Sequence, residues 1–287
     1  MPLPTERIIT IFGPGLLGGS LALAIQERLP DVRLRLWARR DTAETEIRAQ
    51  KINAAFFTDP AAAAQGASLL ILATPVTVMP DLARQIAPVV AADAIVTDVG
   101  SVKGSVVSAL EPILGSRFIG SHPMAGSEKT GIQTARANLF QGAASLITPT
   151  ALTPPDALAE LTRFWETLGC RVLSFSPEVH DLKVARISHL PHLMACVTTL
   201  AALRGDSAAA ACVANGFRDT TRVAGGDPDL WTGIALENRG ALLACVEEAA
   251  NVLTELLEIL KKPNEETLRQ FLAEAKTLRD QVKAGAS

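Results

Sequence analysis

A glycine-rich segment near the start of the chain has the spacing of a phosphate-binding loop. Gly13, Gly15 and Gly18 fit the pattern G-x-G-x-x-G between an apolar, β-branched run and a helical pattern. The first glycine permits a tight turn, the second lets a pyrophosphate approach the backbone, and the third lets helix and strand pack closely. Leu16 and Leu17 would supply N–H groups at the helix N-terminus, which attracts anions. The segment predicts a dinucleotide site, and its position disfavours the alternative of an empty glycine turn.

The residues that would contact the adenosine ribose are less typical. An NAD-binding fold of this kind has Asp or Glu about 20 residues after the loop, hydrogen-bonded to the ribose 2′-hydroxyl. Here that place holds Ala38, Arg39 and Arg40, and the first acidic residue, Asp41, lies further along the chain than the position expected for the ribose contact. Because guanidinium groups match phosphate oxygens, Arg39 and Arg40 favour NADP over NAD. The alternative is a solvated turn in which Asp41 reaches back to the ribose.

Ser101 and His122 follow two further predicted strands. The carboxyl ends of strands in an open parallel sheet are where ligands bind, so both residues should face the nicotinamide. A dehydrogenase that acts on an alcohol needs a base for the hydroxyl proton, and histidine has a suitable pKa. Pro123 and Gly126 flank His122 and predict a loop there. A structural loop histidine is an equal alternative on position alone.

Two histidines stand beside a proline in the second half of the chain. His189, Pro191 and His192 lie within a helical pattern that starts at His180 and Asp181. Pro191 predicts a kink, because proline cannot donate an N–H and clashes with the carbonyl four residues earlier. A metal site is disfavoured because the proline interrupts the helix and no fourth ligand is evident, so we expect none. For His180 and His189 a plain core or solvated role is the alternative.

The segment 216–231 is polar for its surroundings and contains Arg222. An arginine in a mostly apolar helical region is either a paired structural ion or an anchor for an anion. Spacing alone leaves both readings of Arg222 open.

The elements that must position these residues alternate over the first part of the chain and become helical after Pro177. The predicted strands are 7–12, 32–37, 68–73, 94–98, 117–120, 143–148 and 170–175, and the predicted helices among them are near 77–91, 103–114 and 155–168. Later helices are predicted to end at Lys262 and to run from about Glu265 to Lys283. The pattern predicts an α/β Rossmann-type domain with a parallel sheet over 1–178 and an all-α domain over 179–287.

Composition excludes several classes of protein. The chain has 287 residues, 48% hydrophobic and 20% charged, which is typical of a globular protein with two domains. The formal charge of −3, without a basic run, disfavours nucleic-acid binding but permits a local anion site. No apolar stretch reaches the ~18 residues of a membrane span, and no signal-peptide pattern is present. The four cysteines lack C-x-x-C spacing and are expected to be buried free thiols, so a cytoplasmic location is expected.

Together, these motifs resemble the prephenate/arogenate dehydrogenase family of tyrosine biosynthesis. They are the glycine loop, Asp-Val-Gly-Ser-Val-Lys (98–103), His-Pro-Met-Ala-Gly-Ser-Glu-Lys-Thr-Gly (122–131), Asn-Leu-Phe (138–140), Ser-His-Leu-Pro-His (188–192), and Phe-Arg-Asp-Thr-Thr-Arg with Asp-Pro-Asp-Leu-Trp (217–231). The resemblance spans about residues 7–262. It implies a Rossmann domain, a helical domain that forms a homodimer, and an active site between the domains.

The resemblance also implies a reaction and residue roles. The family oxidises the 4-hydroxyl of a cyclohexadienyl acid, passes hydride to NAD(P) and releases the ring carboxylate as CO₂. The implied catalytic residues are His122, which polarises the hydroxyl, and Ser101, which holds it or orients His122. The implied substrate-binding residues are Arg222, His192, Gly126 and Ser127, and those lining the cofactor cleft are Thr74 and Pro75. Prephenate and arogenate are not distinguished.

Two other functions use a similar scaffold. A β-hydroxyacid dehydrogenase or imine reductase would rely on a lysine or another donor in the helical domain and would not need His122. A dinucleotide-sensing protein without catalysis would be expected to have lost Ser101, His122 or Arg222, and all three are present.

Overall fold

A single eight-stranded sheet forms the centre of the N-terminal part. The structure, a computed structural model, describes residues 7–127 and 129–284. The strands are β1 (Ile8–Phe12), β2 (Arg33–Trp37), β3 (Ala55–Phe57), β4 (Leu69–Leu72), β5 (Ile95–Asp98), β6 (Phe118–Pro123), β7 (Ala144–Thr148) and β8 (Arg171–Ser174). Their order in the sheet is β3-β2-β1-β4-β5-β6-β7-β8. The predicted Rossmann-type fold is confirmed.

Parallel pairing accounts for the apolar runs in the sequence. β1 pairs in parallel with β2 and β4, and β4 pairs in parallel with β5. Every residue of β4 is buried, as expected of a strand that is covered on both faces. Because these strands share one direction, their carboxyl ends meet at one edge of the sheet, where the glycine loop begins.

The sheet is not parallel throughout. β6 pairs with β7 in the antiparallel sense, with His122 opposite Leu146. Between β6 and β7 the described residues contain only a short 3₁₀ turn (Ile132–Thr134) and no α-helix. Without a crossover helix the chain re-enters the sheet from the edge at which it left, so β7 runs antiparallel. The expectation of a loop around His122 was wrong, because β6 extends through Pro123.

Helices cover the sheet and make up the rest of the chain. Those in the described residues are α1 (Leu16–Arg28), α2 (Ala43–Ala49), α3 (Pro60–Ala64), α4 (Met79–Ile86), α5 (Gly104–Leu114), α6 (Pro155–Thr167), α7 (Pro177–Val184), α8 (Leu190–Leu203), α9 (Asn215–Thr221), α10 (Pro228–Glu237), α11 (Arg239–Lys261) and α12 (Glu265–Ala284). The predicted ends of the last two helices agree with the structure. The sequence pattern missed α2, β3 and α3, which are only three to seven residues long.

A π-helical turn lies just before Pro191, and the kink predicted at this proline stays a prediction. The turn covers Ala185–His189 and joins α7 to α8, with Pro191 at the start of α8. The backbone stays helical from α7 through this turn into α8, so the π-helical turn accommodates Pro191, which cannot donate an N–H to the preceding turn. Single π-helical turns often occur at functional sites.

Two compact units divide between Arg239 and Gly240. The first contains the sheet and the helices up to α10, and the second contains most of α11 and all of α12. The boundary predicted near residue 178 stays a prediction.

Two sequence expectations concern membranes and thiols. Among the described residues no helix is both long and apolar enough to cross a bilayer. All four cysteines are free, and Cys170 and Cys245 are buried as expected. Cys196 is half-buried and Cys212 is exposed, so the expectation of burial was wrong for Cys212.

A buried ion pair closes the carboxyl end of β5. Asp98 and Lys103 are both fully buried, and the Lys103 ammonium contacts Asp98 Oδ2. The backbone N–H of Gly100 donates to the same oxygen at 2.8 Å, and that of Ser121 donates to Oδ1 at 3.1 Å. The pair therefore fixes the turn that carries Ser101 against the start of β6.

We predict that Lys103→Met lowers the free energy of unfolding by about 3–5 kcal/mol, because it leaves the Asp98 carboxylate buried and unpaired. The matched control is Arg84→Ala, which removes an ion pair between exposed side chains with Asp81 and should cost about 1 kcal/mol or less. Urea unfolding of both variants at neutral pH makes the comparison. Equal losses would contradict the role given to the buried pair.

Candidate active site

The glycine loop has the geometry of a phosphate cradle. Gly13 has φ of +100°, and a Cβ there would lie 2.8 Å from the carbonyl oxygen of Ala73. A Cβ on Gly18 would lie 2.0 Å from the Gly13 carbonyl oxygen, whereas one on Gly15 would meet nothing within 4 Å. Open space at the second glycine is what a pyrophosphate needs for close approach.

The N-terminus of α1 is also available to an anion. Gly15 is its N-cap, no side chain caps the helix, and its first turn, which includes Leu16 and Leu17, carries no acidic residue. The free N–H groups and the positive end of the helix dipole therefore face the space above Gly15. These residues fit a dinucleotide phosphate.

The end of β4 lies beside this loop. A Cβ on Gly13 would come within 3.1 Å of the Thr74 Cγ2 atom. The Thr74 hydroxyl is buried without a hydrogen-bond partner among the described residues, and Pro75 next to it is exposed. An orphaned hydroxyl at the loop is a ready partner for a bound molecule.

Arg39 and Arg40 follow β2 at the same edge of the sheet. Both are exposed, and the Arg40 guanidinium lies 3.7 Å from the carboxylate of Glu46, a long ion-pair contact between exposed side chains. Asp41 Oδ1 accepts from the backbone N–H of Thr42 at 2.7 Å, so this carboxylate is engaged in its own turn. The position after β2 therefore offers two accessible guanidinium groups.

A chain of hydrogen bonds runs from a carboxylate to His122. The Asp181 Oδ1 atom lies 2.8 Å from His180 Nδ1, and His180 Nε2 lies 2.9 Å from His122 Nδ1. His180 is fully buried and His122 is 7% exposed. The protein uses the Nδ1 atom of His122, which leaves Nε2 for a ligand.

Asp181 also holds the start of α5. Its Oδ1 accepts from the backbone N–H of Lys103 and its Oδ2 from that of Gly104, both at 2.8 Å. A Cβ on Gly104 would lie 2.8 Å from Oδ2, so the close approach depends on glycine. α7, which carries Asp181, is thereby tied to the segment that follows Ser101.

The surroundings keep these imidazoles neutral. Burial lowers the pKa of His122 well below its usual 6.5, and the nearby side chains of His180, Lys103 and His189 disfavour a positive charge on it further. Burial also lowers the pKa of His180, although the hydrogen bond to Asp181 opposes the shift. A neutral imidazole at position 122 can accept a proton at physiological pH.

His189 lies in the π-helical turn and is also buried. Its Nδ1 lies 3.2 Å from the amide nitrogen of Asn238, which donates to the carbonyl oxygen of Asp181 at 2.9 Å. Burial lowers the pKa of His189 to about 4, while the nearby Ser101 backbone opposes the shift. The Nε2 atom is buried without a well-aligned hydrogen bond within the described part of the chain.

His192 stacks on an indole. Its ring is parallel to that of Trp231, with 3.5 Å between centroids and 9° between planes. A Cβ on Gly226 would lie 2.5 Å from Trp231 Nε1, so the stack requires glycine at that point. Burial lowers the pKa of His192, which keeps this ring neutral as well.

The other predicted site residues are less closely joined to this cluster. Ser101 is half-buried in the turn after β5, and its backbone faces His189. Arg222 is exposed at the start of a 3₁₀ turn (Arg222–Gly225) that packs against α8, the helix of His192. Gly126 and Ser127 are exposed, and Ser127 Oγ accepts from the Lys129 N–H at 3.1 Å. Glu128, in the same motif, lies outside the described residues.

Sequence reasoning missed several members of the cluster. They are Asp98, Lys103, His180, Asp181, Trp231 and Asn238. His180 and Asp181 were considered only as metal ligands or core residues, and a histidine–aspartate dipeptide in a helical pattern gives no signal of its partner 58 residues away.

In the described ranges no group of three His, Cys, Asp or Glu side chains has an arrangement suited to a metal ion.

Two family models match the chain in succession. The nucleotide-binding domain of prephenate dehydrogenase matches residues 21–174, and the dimerization domain of prephenate dehydrogenase matches residues 176–274.

Two relatives with similar sequences agree with these matches. The chain is 34% identical over 276 residues to a cyclohexadienyl dehydrogenase of Zymomonas mobilis, with 94% of each chain covered. It is 31% identical to the prephenate dehydrogenase of Bacillus subtilis, covering 95% of this chain and 75% of the relative.

Solved structures are similar over almost the whole length. Prephenate dehydrogenase from Aquifex aeolicus, in complex with hydroxyphenyl propionate and NAD⁺, superposes with a TM-score of 0.87 at 31% identity, covering 96% of this chain and 98% of the other. Synechocystis arogenate dehydrogenase gives a TM-score of 0.82 at 32% identity, covering 96% and 100%. The glycine loop, the buried histidine cluster and these similarities together place the chain in the prephenate dehydrogenase family.

Proposed function

We propose that the chain catalyses the oxidative decarboxylation of prephenate or arogenate, giving 4-hydroxyphenylpyruvate or tyrosine, with a nicotinamide dinucleotide as hydride acceptor. The observation that carries the proposal is the hydrogen-bonded chain from Asp181 through His180 to His122, which leaves a buried neutral imidazole with one unused nitrogen. The glycine loop in the same unit supplies the place for the dinucleotide.

His122 is the proton acceptor in this reaction. A bound nicotinamide supplies the site to which the hydride on the substrate C4 is transferred. His122 Nε2 takes the proton of the 4-hydroxyl as the hydride leaves, and the hydroxyl carbon becomes a carbonyl. Loss of the ring carboxylate as CO₂ then returns an electron pair through the ring to that oxygen, which recovers a proton from His122. The product ring is aromatic, and the proton balance closes.

Other side chains bind and orient the substrate. Ser101 holds the hydroxyl or orients His122, and Arg222 pairs with a substrate carboxylate, for which a bidentate guanidinium fixes the ring orientation. His192 faces the substrate side chain, supported by its stack on Trp231. Gly126 and Ser127 line the pocket, and Thr74 and Pro75 line the cofactor cleft.

The proposal extends to the cofactor and the assembly. Two exposed arginines after β2 favour NADP. The helical part acts as the contact surface of a homodimer, supported by the match to a dimerization domain. We also propose a cytoplasmic location.

The proposed reaction is tested by following nicotinamide reduction with prephenate or arogenate and with NAD or NADP, in all four combinations. We expect activity in at least one combination. If no nicotinamide reduction is detected in any of the four combinations while dinucleotide binding is intact, a hydroxyacid dehydrogenase or a dinucleotide sensor would be favoured.

We predict that His122→Asn lowers kcat by about 10²–10⁴, the usual contribution of a general base. Asparagine keeps a polar side chain of similar size but cannot take the proton. Dinucleotide affinity, measured by fluorescence titration, should be unchanged and serves as the control for folding. A His122→Asn variant with nearly the wild-type kcat would contradict the assignment of His122 as the proton acceptor.

A second prediction concerns pH. Protonation of His122 removes the base, and burial with nearby positive charge lowers its pKa well below 6.5. The value of kcat/KM should therefore stay constant as pH falls through 6.5 and decline only at lower pH, because the neutral form persists to that point. A pH profile with a circular-dichroism check of folding tests this. Half-maximal kcat/KM at pH 6.5 or above would contradict it.

A third prediction tests the cofactor. The double substitution Arg39→Ala with Arg40→Ala should raise KM for NADP by roughly 10–100-fold, because the loss of hydrogen bonds to a charged phosphate weakens binding by about that factor. The KM for NAD, which has no 2′-phosphate, should stay nearly unchanged. Arg48→Ala, which removes a surface pair with Glu44 on α2, is the matched control. An equal effect on both cofactors, or a wild-type preference for NAD, would overturn the assignment.

A further inference from the structure

His122 and His189 both make their hydrogen bond within the cluster through Nδ1, but their partners differ in whether they accept or donate the hydrogen. His122 Nδ1 contacts a ring nitrogen of His180, whereas His189 Nδ1 contacts the amide nitrogen of Asn238. An amide nitrogen can only donate, and a neutral imidazole has one donor and one acceptor nitrogen. The partner therefore decides which nitrogen of each histidine carries the proton.

The carboxylate of Asp181 determines the state of His122. Burial raises the pKa of this carboxyl, but hydrogen bonds from His180 and from the N–H groups of Lys103 and Gly104 outweigh burial and lower it overall. An ionised carboxylate only accepts, so the proton of neutral His180 is on Nδ1 and its Nε2 accepts. His122 must then donate from Nδ1, which leaves its Nε2 unprotonated.

The backbone carbonyl of Asp181 determines the state of His189. Asn238 directs its amide nitrogen to this carbonyl oxygen at 2.9 Å. The reversed amide would place two acceptor oxygens against each other, so the orientation is fixed. The same nitrogen donates to His189 Nδ1, which must accept. The proton of His189 is therefore on Nε2.

We propose that Asp181 presets the two histidines in opposite tautomers, with an unprotonated Nε2 on His122 and a protonated Nε2 on His189. This inference deepens the proposed function and rests on it for its catalytic meaning. His180, Asp181 and Asn238 are positioning residues that act through these imidazoles.

The arrangement matters because the opposite tautomer would be inactive. With a proton already on Nε2, a neutral His122 could only donate to the substrate's hydroxyl oxygen and could not accept the hydroxyl proton. His189, whose ring faces the Ser101 backbone, instead offers a donor beside the same turn. The cluster thus presents one acceptor and one donor without either imidazole being charged.

Nitrogen chemical shifts of the imidazole rings test the inference directly. The chain has four histidines, so long-range ¹H–¹⁵N spectra of the ¹⁵N-histidine-labelled protein contain four ring systems, each assigned by its own substitution. We expect the Nδ1–H pattern for His122 and the Nε2–H pattern for His189 at pH 7.5. The reverse pattern, or an averaged mixture, at either ring overturns the inference.

A matched pair of variants at position 180 tests the effect on the reaction. His180→Gln can place an acceptor oxygen near the former Nε2 and keep the bond to His122, whereas His180→Asn keeps a donor near Asp181 but cannot reach His122. We expect kcat to fall on the order of 10² in the asparagine variant and by about tenfold or less in the glutamine variant, with KM unchanged in both. Equal kcat values, or a change mainly in KM, contradict the positioning role.

A third variant separates the effect of His180 on His122 from the effect of Asn238 on His189. Asn238→Leu should shift the His189 spectrum and leave that of His122 unchanged, and His180→Asn should do the opposite. Dinucleotide binding and the unfolding temperature check that each variant folds. If a variant does not fold, the spectrum of the wild-type protein decides the inference.

The inference and the proposed function can fail separately. Correct tautomers without turnover of either cyclohexadienyl acid would reject the proposed function alone, whereas turnover with the wrong tautomers would reject this inference alone.

Discussion

The carboxylate of Asp181 accepts hydrogen bonds from three groups in two distant parts of the chain. They are the His180 ring and the backbone N–H groups of Lys103 and Gly104. Its backbone carbonyl accepts a fourth, from Asn238 at the end of α10. A buried carboxylate is tolerated only when such donors satisfy it. The start of α5, the turn with Ser101 and the histidine cluster therefore hold their mutual positions through one residue.

The base and the phosphate cradle lie on different kinds of element. His122 lies within β6, in register with Leu146 of the antiparallel neighbour β7. The cradle is a turn between β1 and α1, where Gly15 leaves open space. A side chain held in a paired strand keeps its orientation better than one on a loop. The binding of the dinucleotide is thus left to backbone groups, and the transfer of the proton to a rigid imidazole.

Prediction from sequence succeeded where the signal is local. The glycine spacing, the buried parallel strands and the ends of α11 and α12 each depend on residues close together in the chain. It failed where the outcome depends on a distant partner. The direction of β7 follows from the missing crossover helix after His122, and the partners of His180 and Asn238 lie 49–58 residues away. Amino-acid type alone cannot distinguish such residues from core residues.

All four histidines of the chain are buried in one cluster, at no more than 7% exposure, and the pKa of each lies below its usual value. Histidine is the side chain whose ordinary titration falls between pH 5 and 8. Lowering these pKa values makes the folded chain take up fewer protons as the pH falls below neutral than a chain with four exposed histidines would. Its net charge, set by 27 basic and 30 acidic residues, therefore changes less, and so does the long-range potential that an anionic substrate meets.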